Sequence, residues 1–120
     1  MAGYRFYSRA DAAQDGIWRD TLDQWGEAQA VSYIRGLHQH LARLANTRAL
    51  WRRLPPNAAV PADIAEDVFM SRYERHYIFF KLLGNGDLGV VSILHDRMNL
   101  PARLAEDLSM LSARPENDND

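Results

Sequence analysis

The chain of 120 residues contains no cysteine. That absence excludes disulfide stapling, thiol catalysis and thiolate metal sites together, and it suits a reducing compartment. Lysine is almost missing as well: Lys81 stands alone beside thirteen arginines. Long apolar runs are absent, since Tyr77-Ile-Phe-Phe80 stops at Lys81, far short of the ~20 residues that span a bilayer. No membrane association is expected. Met1 to Tyr7 runs directly into the polar Ser8-Arg9-Ala10-Asp11, so a secretory signal is not expected and the cytoplasm is the anticipated location. Nor is there an excess of either charge. Lys and Arg number 14 against 16 Asp and Glu, a net charge of -2, and the pI is near 6.0. A nucleic-acid-binding domain would be expected above pI ~9. The surplus acid lies in Arg114-Pro-Glu-Asn-Asp-Asn-Asp120, which leaves residues 1–113 with thirteen charges of each sign.

What is present describes an ordinary folded domain. Hydrophobic residues make up 47% and charged residues 25%, well away from disordered compositions. The length suits one domain, expected over residues 1–113, with 114–120 as an acidic, disordered tail.

Periodicity divides that domain into elements. Gly3 to Tyr7 reads as a short aromatic strand. Ser8 offers an N-cap with Asp11 three residues on, a loose capping box. From there Ala10, Ala13, Ile17, Thr21 and Trp25 recur at helical spacing, and Gly26 follows where a helix stops. A second helix runs from Glu27 to about Asn46 on the stripe Ala30, Ile34, Leu37, Leu41 and Leu44. So short a break makes the two helices an antiparallel hairpin. Arg48 to Leu54 reads as a last helical turn ended by Pro55-Pro56, and Asn57 to Pro61 as loop. Ile64 to Tyr73 is a strand of mixed pattern. Arg75 to Leu83 alternates, with His76, Ile78, Phe80 and Leu82 on one face and Tyr77, Phe79 and Lys81 on the other. Gly84-Asn85-Gly86-Asp87 then supplies an Asn-Gly hairpin turn. Leu88 to His95 returns as a central strand, apolar on both faces, and Pro101 to Leu111 forms a final helix.

The order β-α-α-β-β-β-α predicts an α+β fold: a mostly antiparallel sheet with the helical hairpin on one face. The first strand must join the other three to satisfy its backbone. The opposite sheet face is expected to be open for function. Trp18, Trp25 and Trp51 lie in or beside helical stripes and are expected in the core, whereas Tyr73 reads as an exposed aromatic.

Several segments together resemble a known family. Trp25-Gly26-x-x-Gln29-Ala30-x-x-Tyr33-Ile34-x-x-Leu37, Ile17-Trp18 with Thr21, Arg75-His76-Tyr77-Ile78-Phe79-Phe80-Lys81 and Val91-Ser92-Ile93-Leu94-His95-Asp96-Arg97-Met98-Asn99 are similar to the signatures of the ParE toxins, in the RelE/ParE superfamily of type II toxin–antitoxin modules. The resemblance covers about residues 3 to 105 and implies the element order already derived. It further implies a plasmid-stabilisation-type toxin that binds and poisons DNA gyrase, a neutralising ParD-like antitoxin, a hetero-oligomer with that antitoxin, and DNA contact only through the antitoxin or the gyrase complex. No cofactor is implied.

The sister RelE branch cleaves messenger RNA on the ribosome. In-line attack by a 2′-hydroxyl needs a base, an acid and cations around the phosphorus. Here the second sheet strand carries Glu66-Asp67-Val68-Phe69-Met70 where those enzymes place lysines, Tyr77 stands where they place an arginine, and no tyrosine follows Arg97. Only Arg97 matches, with His95 beside it as a weak catalytic candidate. Binding without bond cleavage is therefore the expected mode, and a RelE-like ribonuclease the alternative. Ser92 stands where the family often has arginine and Asn99 where it often has aspartate, which motivates a third reading, a non-toxic antitoxin-binding homologue. The resemblance points to Tyr73, Arg75, His95, Arg97 and Met98 as target-binding residues. Arg48, Arg52, Arg53, Arg72 and Arg75 could form a cationic rim. His38 and His40, two apart on one helix, face different ways, and His76 has no co-ligand in the sequence, so no metal site is expected.

Overall fold

A computed structural model describes residues 2–54, 67–97 and 100–109. In chain order these form β1 (Tyr4–Phe6), α1 (Ser8–Trp25), α2 (Glu27–Ala45), a 3-10 turn (Arg48–Leu50), β2 (Arg52–Arg53), β3 (Phe69–Tyr73), β4 (His76–Leu82), β5 (Leu88–His95) and α3 (Leu100–Ser109). One five-stranded sheet has the order β1-β5-β4-β3-β2. The first strand joins it as expected, parallel to β5 with Tyr4 opposite Leu88. Every other pairing is antiparallel. Residues 55–66 hold the Pro55-Pro56 stop, the predicted loop and the start of the predicted second strand, and they lie outside the described residues, as do Met98, Asn99 and the acidic tail.

Amphipathicity decides the layers. The α1–α2 hairpin lays Ala10, Ile17, Leu37, Leu41 and Leu44 against Phe6, Ile78, Phe80, Leu88, Val90 and Ile93 of the sheet. Gly26 ends α1 and begins α2 at φ 92° and ψ 174°, a conformation that is essentially glycine's alone. Its amide donates to the Leu22 carbonyl at 3.0 Å and its carbonyl accepts from Ala30 at 3.1 Å, so one residue closes both helices. Ser8 does not cap α1. It is the first helical residue, and Tyr7 precedes it in extended geometry with no side-chain cap. Tyr7 is held there because its amide donates to Val90 O at 2.9 Å, while its own carbonyl accepts from Asp11.

The opposite sheet face is not open, contrary to expectation. Helix α3 packs over it, and Leu104 and Leu108 bury Phe79, Val91 and Leu94 together with Tyr7 and Val68. A buried polar tie reinforces the contact. Ser92 Oγ donates to Asp107 Oδ2 at 2.6 Å, and Arg9 of α1 reaches Asp107 Oδ1 at 2.9 Å and Glu106 at 3.0 Å. What stood out in the sequence as a departure at Ser92 is thus a buried anchor for the last helix.

Two further details differ from the sequence reading. After the 3-10 turn, Arg52 and Arg53 form a short edge strand on β3 rather than a helical turn. The β4–β5 connection is a three-residue loop in which Leu83 N meets Asp87 O at 2.8 Å and Gly86 takes φ 91°, a familiar hairpin geometry.

Candidate functional site

Strands β4 and β5 pair regularly from Leu82↔Leu88 to Phe80↔Val90, then shift, so that Phe79 faces Ser92 and His76 faces His95. The bulge inserts Val91 and reverses the facing of every residue after it. Leu88 and Val90 point to the helical hairpin; beyond the bulge it is Ile93 that does so, while Leu94 points to α3. His95 is thereby re-aimed to the hairpin side, where its ring meets His76 edge-on at 5.1 Å.

This end of the sheet is where α1 overhangs. A cleft of about 350 Å³ opens between the hairpin tip and the strand ends, lined among others by Asp20, Trp25, Tyr33, Arg75, His76 and His95. Trp25 is 70% exposed, which overturns its expected core position. The sheet stops at the His76–His95 pair, and the last helical turn of α1 has no strand beneath it. Trp18 is half-buried, and Trp51 does pack inward, between Phe69 and Phe80 with its Nε1 donating to Leu44 O at 2.7 Å.

Tyr33 organises the floor of the cleft. Burial raises its hydroxyl to about 12, so it keeps its proton and donates to His76 Nδ1 at 2.7 Å. Burial, helped by the charge of His95 nearby, pushes His76 down to about 4. The two shifts agree: a neutral imidazole accepts at Nδ1 and holds its proton on Nε2. Tyr73, expected to be exposed, instead lies against α2. Its ring meets Tyr33 at 5.1 Å and its hydroxyl donates to Tyr33 O at 3.2 Å. Burial raises its pKa too.

Arg75 sits in the β3–β4 turn directly after Glu74, the one non-glycine residue at positive φ (51°) among the described residues. A two-residue hairpin loop between Tyr73 and His76 requires positive φ at its first position. The Arg75 carbonyl accepts from Asp96 N at 2.9 Å, and its side chain is exposed at the cleft rim. Arg72 clamps the same turn: Nε to Glu74 O at 2.9 Å and Nη2 to Asp96 Oδ2 at 3.0 Å. Arg97 is exposed just past β5 and borders a second cleft of about 630 Å³ between α1 and α3, shared with His95 and Arg103 and floored by Ala12, Ala13 and Gly16.

The structure therefore brings Arg75, His95 and Arg97 to one end of the sheet and places Tyr73 behind them, while Met98 lies outside the described residues. It splits the expected cationic rim. Arg48 and Arg53 lie over Trp51 and Phe69 near the β2 edge, and Arg72 and Arg75 belong to the turn. His38 binds Tyr4 Oη at 2.8 Å and Gln14 at 2.6 Å, while His40 binds Ser71 at 2.9 Å, on different faces as anticipated. Among the described residues no His, Asp and Glu cluster could hold a metal ion, and no helix is long and apolar enough to cross a membrane. Tyr33, Trp25 and Asp96 were not singled out as site residues. Tyr33 is revealed only by the packing of α2 on the strand ends, and Asp96 only by the β4–β5 register, which depends on the bulge.

Comparison with known proteins gives consistent matches. The family described as "ParE toxin of type II toxin-antitoxin system, parDE" matches residues 4–100. "Toxin ParE" of Escherichia coli is 35% identical over 108 residues, which cover 90% of this chain and 98% of that protein. "Toxin ParE1" of Mycobacterium tuberculosis is 29% identical over 106 residues, covering 84% and 96%. Among solved structures, a chain of the "Chromosomal ParDE TA system from P. aeruginosa" superposes with a TM-score of 0.61 at 16% identity, over 79% of this chain and 96% of that one.

Proposed function

Because the chain belongs to the ParE toxin family of type II toxin–antitoxin systems, we propose that it acts by gripping DNA gyrase while gyrase holds cleaved DNA, and that a ParD-like antitoxin neutralises it. A toxin of this kind stabilises one stage of its target, which requires tighter binding to that stage than to the resting enzyme. The observation that carries the reading is the convergence of Arg75, His95 and Arg97 at one exposed sheet end. Arginine and aromatic groups flanking a cleft are the composition of binding hot spots.

The same geometry supports binding over bond cleavage. His76 is neutral and tied to Tyr33, so it is not free to act as a general acid or base. The antitoxin is proposed to bring a disordered segment that folds along the helical hairpin and adds at a sheet edge, giving a hetero-oligomer. DNA is reached only through those complexes, and the proposed location is the cytoplasm.

Purified protein incubated with gyrase and supercoiled plasmid tests this. Linear DNA should accumulate after denaturation of the gyrase. Arg97→Ala should raise the concentration needed by about tenfold, on the order of 1.4 kcal/mol of binding. Arg19→Ala, exposed on α1, should stay within about twofold. Equal effects of the two changes would move the site elsewhere, and codon-positioned cleavage of messenger RNA on ribosomes would replace the proposal with the ribonuclease reading.

A further inference from the structure

The end of β5 holds a polar atom that the fold leaves unsatisfied. Asp96 Oδ1 is buried and has no hydrogen-bond partner among the described residues. The atom facing it, 3.2 Å away, is His95 Nδ1, and that nitrogen already accepts the Arg97 amide at 3.1 Å. An imidazole nitrogen accepts or donates but cannot do both. While Nδ1 accepts the Arg97 amide its lone pair is engaged there, and the nearby carboxylate oxygen goes unanswered. Once Nδ1 takes a proton from solvent the Arg97 amide loses its acceptor, and a turn of the ring brings that proton to Asp96.

We propose that Asp96 is a positioning residue which couples protonation of His95 to the backbone direction at Arg97, so that the proposed target-binding end of the sheet has two proton-dependent states. The functional consequence rests on the reading of Arg97 as a target contact; the switch itself does not.

The neighbouring charges set this order of events. His76, edge-on to His95, is held down to about 4 by burial, so it does not compete for the proton. On the hairpin side, Asp20 of α1 and Glu74 and Arg75 of the turn line the cleft that His95 shares, and Tyr33 of α2 touches the pair through His76. Asp20 also borders the cleft on the α3 side, where Arg97 and Arg103 stand near the ring and Arg9 is paired with Asp107. Arg72 holds Asp96 Oδ2 at 3.0 Å, which leaves the other carboxylate oxygen beside Nδ1.

Nuclear magnetic resonance of the full chain from pH 8 to 5, the interval in which imidazoles charge, tests the switch. The Arg97 amide proton and the His95 ring nitrogens should titrate together, with Nδ1 becoming the protonated site. In Asp96→Asn the Arg97 amide should lose most of its response, because no carboxylate is left to draw the charged ring away from that amide. Should that variant unfold, His95→Gln decides the matter, because glutamine can accept the Arg97 amide but does not titrate; the Arg97 response should then vanish. An Arg97 amide that stays unchanged while His95 titrates would overturn the proposal, as would a response that survives in His95→Gln. Gyrase trapping measured at pH 6 and pH 8 separates the two readings. A responsive Arg97 with no trapping at either pH would overturn gyrase as the target and leave the switch standing, and a flat Arg97 overturns the switch whatever gyrase does.

Discussion

Burial against Tyr33 and His95 holds the His76 imidazole down to about 4, against an ordinary value of ~6.5. Between those pH values the unfolded chain binds a proton at this residue that the folded chain refuses. Stability therefore rises with pH through that window and is lost as pH falls from 6.5 toward 4. His38 and His40 are also lowered by burial and act in the same direction. Urea unfolding at pH 7.5, 6 and 4.5 should show the loss. His76→Gln, which keeps an acceptor for Tyr33, should remove on the order of 1–2 kcal/mol of it, allowing for the partial exposure of the ring. Gly36 is a second sensitive position. A Cβ there would run into the Tyr73 hydroxyl, so Gly36→Ala should cost about 1–3 kcal/mol through overpacking even though alanine favours the helix by ~1 kcal/mol. Adding Tyr73→Phe, which deletes the colliding oxygen, should recover most of that loss in the same measurement.

At the level of elements, the link between α1, β5 and α3 is the most exposed to single changes. Asp107 is buried and answers to Arg9 and Ser92. Arg9→Met would leave the carboxylate with the Ser92 hydroxyl alone. Removing the guanidinium leaves a buried carboxylate short of a partner, so the urea midpoint should fall, by less than for a fully buried pair because Arg9 is partly exposed. Hydrogen exchange should speed up in α3 and in the β5 amides before it does in the α1–α2 hairpin. The elements that sequence reading recovers are those with strong local signals: two helices with unbroken stripes, a glycine at their junction, and an alternating strand leading into Asn85-Gly86. What it misses depends on contacts distant in sequence. The stripe of Leu104 and Leu108 says that α3 must pack but not on which side of the sheet. Arg52 and Arg53 carry no strand pattern in two residues and become a strand only because β3 is there to pair with. Counting back from the β4–β5 turn without the bulge would set His76 opposite Leu94; one inserted residue makes it His95 and so creates the ring pair at the cleft. Trp25 continues a helical stripe in the sequence, yet the sheet ends before the stripe does.

For the whole molecule, element order was enough to predict the architecture, and the resemblance of four signature segments was enough to point to the family, because both are spread over many residues. The site was only half legible: Arg75, His95 and Arg97 do come together, whereas the residues that orient them become visible only in three dimensions. The acidic residues 114–120 contain no apolar side chain to anchor them. Deleting them should shift the thermal midpoint by less than about 2 °C and leave antitoxin affinity within about twofold, as differential scanning calorimetry and titration calorimetry would record. The parallel pairing of Tyr4–Phe6 with Leu88–Val90 bears on how the chain is made. The first strand can take its place only when a segment more than eighty residues later has emerged from the ribosome. Until then the hairpin helices have an incomplete floor, and the cleft shared by Tyr33, His76 and His95 cannot assemble.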